Sequence, residues 1–117
     1  MPAREMRMEM FLRALLKRDF SRARGHLEKL QKMAGSDEWG RGYGKAINGF
    51  MSAIKDNDSD ALIVQLITEH DRKKAEELLK HFQEVILEHE FRDDYEKGYY
   101  TAWVEFLKAY LSQKTLA

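Results

Sequence analysis

The residues best equipped for chemistry in this chain are histidines and carboxylates on one stretch. His81, Glu84 and Glu88 fall at i, i+3 and i+7, with His70 and His89 close in sequence. Nitrogen and oxygen donors on one helix face are what a divalent metal would use in a protein without thiolates. Helical di-metal sites place Glu-x-x-His on facing helices, and this sequence contains no such tetrad. The chain has no cysteine and little serine, so no Cys-His or Ser-His-Asp arrangement can be assembled from it. The expectation is a non-catalytic chain with no metal and no cofactor.

Gly40-Arg41-Gly42-Tyr43-Gly44 is the one glycine-rich segment, and glycine lets backbone N–H groups approach a phosphate closely. A phosphate loop would follow a strand and run into Gly-Lys-Ser/Thr, and neither surrounds this segment. A helix fits it better. Three glycines there cost about 1 kcal/mol each relative to alanine, so the first turns of that helix should be weak or packed closely on a neighbour. A hinge, or a segment ordered by a partner, is the functional form of the first option.

Charge and aromatic residues give two further surfaces. Residues 1–34 carry nine Lys/Arg against four Asp/Glu, whereas residues 35–117 carry eleven against sixteen, so a chain of zero formal net charge is strongly dipolar. Arg13, Lys17, Arg18, Arg22 and Lys29 are the candidate nucleic-acid contacts. Near the C-terminus, Tyr95, Tyr99, Tyr100, Trp103, Phe106 and Tyr110 exceed what one buried stripe needs. The candidate protein-binding patch is Tyr43, Lys45, Asn48, Lys97, Tyr100 and Trp103.

These residues must be positioned by helices, because apolar residues recur at helical spacing throughout. Met8, Phe11, Leu12, Leu15 and Leu16 predict a first helix near 4–18. Asp19 should cap a second, with Ala23, Leu27, Leu30 and Ala34 inward and Gly35 as its stop. A third follows Gly35-Ser36-Asp37 and buries Trp39, Tyr43, Ala46, Ile47, Phe50 and Ile54. Asp56-Asn57-Asp58-Ser59 reads as a surface turn before a fourth helix carrying Leu62, Ile63, Leu66 and Ile67. Asp71 should cap a fifth and most amphipathic helix, with Ala75, Leu78, Leu79, Phe82, Val85 and Ile86. A sixth presents Phe91, Tyr95, Tyr99, Ala102, Phe106 and Tyr110; nothing around Leu87-Glu88-His89 separates it from the fifth, so one bent rod is the alternative.

The fold class expected is all-α: a five- to six-helix bundle or short helical-repeat array in one domain, residues 1–117. Its 44% apolar content suffices for a core, and its 34% charge with one proline is unlike a disordered tail. The longest clean apolar run is Ala61-Leu62-Ile63-Val64 and no apolar leader precedes it, so a cytoplasmic, non-membrane protein is expected. Abundant Lys, Arg and Glu with two asparagines lean toward a heat-adapted source. Sliding the chain by 52 residues pairs Asp19, Ala23, Leu27, Gln31, Glu38, Tyr43 and Lys45 with Asp71, Ala75, Leu79, Gln83, Glu90, Tyr95 and Lys97. A duplicated three-helix unit, 7–58 and 59–110, would produce that pattern.

Lys17-Arg18-Asp19-Phe20-Ser21-Arg22-Ala23 through Leu27-Glu28-Lys29-Leu30 resembles the second helix of a tetratricopeptide repeat. Tyr43, Ala46, Ile47 and Phe50 resemble part of that family's first-helix pattern, as do Tyr95, Gly98, Tyr99 and Ala102. The 52-residue spacing and the missing proline after the second helix depart from the family. The resemblance implies a helical-hairpin architecture of the kind that binds peptides and partner proteins, and no individual functional residue. Glu76-Glu77 and Glu90-x-x-Asp93 are similar to the magnesium-holding carboxylates of all-helical nucleotide pyrophosphohydrolases, but Lys80 replaces a required Glu and no activity is implied. The expected function is protein–protein contact, with a second copy of the chain among the expected partners. The alternative is an RNA- or DNA-binding accessory protein using the basic N-terminal face.

Overall fold

Aspartate side chains start four of the helices. The Asp19 carboxylate accepts from the backbone N–H of Arg22, Asp37 from Gly40, Asp71 from Lys74 and Asp93 from Glu96. Each satisfies an N–H that the first helical turn leaves without a partner, a contribution of about 1 kcal/mol. The computed structural model describes residues 3–88 and 93–113. Among them are six helices and no strand: α1 (Ala3–Leu16), α2 (Phe20–Ala34), α3 (Glu38–Lys55), α4 (Leu62–Glu69), α5 (Arg72–Glu88) and α6 (Asp94–Ser112). The protein is an all-α bundle, and the sixth helix has its own cap at Asp93. The expected face residue Phe91 lies outside the described residues.

α3 and α6 form the centre, with α1 and α2 on one side and α5 on the other. Their contact is close because glycine sits at the crossing on both helices: a Cβ on Gly42 would collide with the Tyr95 carbonyl, and one on Gly98 with the Trp39 carbonyl. The second option for the glycine-rich turns therefore holds, and Gly40, Gly42 and Gly44 are all buried. Around the crossing, Tyr43, Ile47 and Phe50 meet Ala102, Phe106 and Leu107, joined by Phe11, Leu12 and Leu15 from α1 and Leu27 and Leu30 from α2. No helix among the described residues is long and apolar enough to cross a membrane.

The two halves do not share one register. Asp19 and Asp71 are 52 residues apart, but Asp37 and Asp93 are 56 apart, so about one helical turn is added in the second half before its last helix. A shift of 56 pairs Gly42 with Gly98, Tyr43 with Tyr99, Ala46 with Ala102 and Phe50 with Phe106. Each half also ties the end of its last helix to an arginine beside its second. Arg18, at φ 57°, donates to the carbonyls of Ile54 (3.0 Å) and Lys55 (3.2 Å), and Arg72 to that of Leu111 (2.7 Å). A cation at a helix C-terminus opposes the macrodipole favourably.

Candidate functional site

The most unusual polar group in the core was invisible to residue spacing. Glu105, on α6, is 7% exposed. Its Oε2 accepts from Arg4 Nη2 at 2.7 Å and Nε at 2.9 Å, and its Oε1 accepts from the Tyr43 hydroxyl at 2.6 Å. The Arg4 guanidinium also lies over the rings of Trp39 and Tyr43, at 5.0 and 5.4 Å. Burial, followed by the Glu105 charge, pushes the Tyr43 hydroxyl far above its ordinary range, and the hydrogen bond to Glu105 raises Arg4. Buried charge of this kind occurs both at active sites and in structural ion pairs. Here both carboxylate oxygens are engaged, and no groove described below is lined by these residues. The arrangement binds α1, α3 and α6 together and holds no free base. Its sequence signal was a lone carboxylate inside the apolar run Ala102–Leu107.

Two members of the expected protein-binding patch require correction. Tyr43 is completely buried, its ring stacked on Trp39 and its hydroxyl on Glu105. Trp103 is 8% exposed, because α6 is covered on two sides and the indole packs against Phe50 from α3 and Phe82 from α5. Tyr100 is half-buried against Phe82 and Tyr99, and Lys97 is half-buried on α6. Lys45 and Asn48 are exposed on α3, where the Asn48 amide donates to the Gly44 carbonyl. With Tyr43 and Trp103 inside, four of the six residues reach the surface.

An apolar face is left partly bare elsewhere. The helix expected to be the most amphipathic, α5, buries only Ala75 fully; Leu78, Leu79, Phe82, Val85 and Ile86 are half-buried. At the positions 52 residues earlier on α2, Leu27 is 6% exposed and Leu30 is 0% exposed. The difference lies in the preceding helix. α1, with 14 residues, lies along α2, whereas α4 has only 8 and touches α5 little. α5 therefore rests mainly on α6.

The basic residues separate when folded. Arg13, Lys17 and Arg22 line a groove of about 520 Å³ between α1 and α2, with Met10, Ala14, Asp19 and His26. Arg18, with a left-handed backbone, does not line this groove: it donates to the carbonyls at the end of α3 and lies over the Phe20 ring. Lys29 is exposed one turn beyond His26. Arg7 Nη1 and His26 Nδ1 are 3.0 Å apart, which sets the imidazole as acceptor at Nδ1 and donor at Nε2. Burial, with the charges of Arg7, Lys29 and Arg22, lowers the His26 pKa. Among the described residues no three His, Asp or Glu side chains converge as a metal set; His89 lies outside them. Compared with models of known families, with curated proteins and with solved structures, the chain matches none.

Proposed function

We propose that this chain works through protein–protein contact and that it self-associates, the apolar face of α5 on one copy packing against the same face on another. The observation that carries the reading is the contrast between equivalent positions: Leu27 and Leu30 on α2 are covered, while Leu79 and Phe82 on α5 are half-exposed. Apolar surface left at the edge of a small domain favours association in proportion to the area a partner removes from water. Zero formal net charge removes the long-range repulsion that keeps like molecules apart. The helical-hairpin pattern around residues 17–30 that resembles tetratricopeptide repeats agrees with a contact role.

Sedimentation equilibrium across a concentration series tests this. The wild-type mass should rise from one chain to two, and Ile86→Lys, on the α5 stripe, should hold it at one. Leu87 is 76% exposed but sits about 100° around the helix from Ile86, off the stripe, so Leu87→Lys should associate as wild type does. A wild-type mass of one chain at every concentration would sink the reading.

A further inference from the structure

The α5 contact leaves the N-terminal excess of positive charge without a role. The fold concentrates part of that excess in the α1–α2 groove. Met10 and Arg13 stand at i and i+3 of α1, Lys17 follows Arg13 by four residues just past the end of that helix, and Arg22 and His26 stand at i and i+4 of α2, so packing the two helices sets these residues side by side. One carboxylate lines the groove, Asp19. Its Oδ1 accepts from the Arg22 backbone N–H, and its Oδ2 lies 3.5 Å from Arg22 Nε. Arg13 and Lys17 form no ion pair among the described residues. Gathering these cations with little counter-charge is unfavourable in the free protein, and an anion seated between the helices would relieve it.

The shape narrows the choice of anion. The groove is a recess between two helices rather than a projecting element, whereas reading duplex DNA requires an element that projects into a groove of the nucleic acid, so a single strand is the better fit. Its lining has no Phe, Tyr or Trp on which a base could stack, and its one ring, the His26 imidazole, is tied to Arg7 through Nδ1. Contact is therefore with the backbone alone. Two guanidiniums suit phosphate, whose oxygens match their fork of donors.

We propose that the α1–α2 groove binds the phosphodiester backbone of a single-stranded nucleic acid without regard to sequence. Arg13, Lys17 and Arg22 contact phosphate oxygens, and His26 donates from Nε2. This site shares no residue with the α5 face, so either can fail alone.

Fluorescence anisotropy with a labelled oligouridine of about twelve nucleotides tests it. Three neutralised phosphates on a single strand give a log–log salt slope of about −2, so raising salt from about 50 to about 200 mM should weaken binding about 20-fold. Arg13→Ser and Lys17→Ser should each reduce the magnitude of the slope by about 0.7 without lowering the melting temperature, because both side chains are exposed and unpaired among the described residues. Arg41→Ser, an exposed arginine on α3, should change neither. The proposal is overturned if the oligonucleotide fails to bind at the lower salt, or if Arg13→Ser and Lys17→Ser leave the slope unchanged. Displacement by polyglutamate at equal charge concentration would also overturn it, in favour of an acidic peptide.

Discussion

Glycine-to-alanine substitution at four helical positions should give opposite signs from identical chemistry, decided only by what a methyl group would meet. At Gly25 and Gly49 nothing lies within 4 Å, so alanine adds helix propensity without a clash and should stabilise by up to about 1 kcal/mol each. At Gly42 and Gly98 the new Cβ meets the backbone carbonyl of Tyr95 or Trp39 on the facing helix. Backbone cannot swing aside as a side-chain tip can, so α3 and α6 must separate. Overpacking costs about 1–3 kcal/mol, and here separation also loosens Tyr43, Phe50, Ala102 and Phe106, which fill the same crossing. Against about 1 kcal/mol of recovered propensity, the net should be a loss of about 2 kcal/mol at either site. For a domain of this size that lowers the melting temperature by roughly 10 °C. Because both glycines serve one crossing, the double variant should lose less than the sum. Thermal and urea melts followed by circular dichroism measure all of this. The reasoning is refuted if Gly42→Ala stabilises the protein as Gly49→Ala does.

Glu105→Gln keeps the side-chain volume but strips the charge that holds Arg4 and Tyr43, and urea unfolding should show a loss of about 2 kcal/mol. That is below the usual cost of breaking a buried pair because the Arg4 side chain is 32% exposed and can rehydrate. For His26 the folded pKa is lowered, so the unfolded chain binds the proton more readily. Stability should be unaffected well above pH 6.5 and fall as pH drops through and below that value, and His26→Gln should remove that component from the difference between the two unfolding curves. An anion in the groove favours the imidazolium facing Arg7, Arg22 and Lys29, so oligonucleotide affinity should rise over the same interval as pH falls.

Helix number and most faces were legible in the sequence because aspartate caps and apolar spacing are local signals. The start of α6 was legible too, in Asp93-Asp94-x-Glu96, a cap followed by a carboxylate in the first turn, whereas Leu87-Glu88-His89 carries no such signal. Other features depend on partners distant in the chain. Trp103 lies off the main stripe of α6, but a helix packed on two neighbours buries two stripes. Spacing put Tyr43 on the buried stripe of α3, but not its polar partners: Arg4 and Glu105, which meet at its hydroxyl, are 101 residues apart. The basic cluster was readable as a set of residues, but the left-handed turn at Arg18 that separates it from the α1–α2 groove was not.

The two surfaces differ because one structural plan is covered differently in each half. In both, an aspartate-capped second helix precedes a third helix that meets its counterpart at a glycine, and an arginine closes the third helix's end. The first half supplies a 14-residue α1, which buries Leu27 and Leu30 and leaves charge as the chemistry exposed along its seam with α2. The second supplies only the 8 residues of α4, and what remains open is the aliphatic and aromatic side of α5. A polyanion needs fixed cations, and Arg13 and Arg22 on the α1–α2 seam are held on two packed helices. A second chain needs apolar area, and the shortness of α4 leaves it on α5. The shortness of α4, bounded by the turn at Asp56–Asp60 and by the left-handed His70 before the Asp71 cap, thus sets how much of α5 stays uncovered.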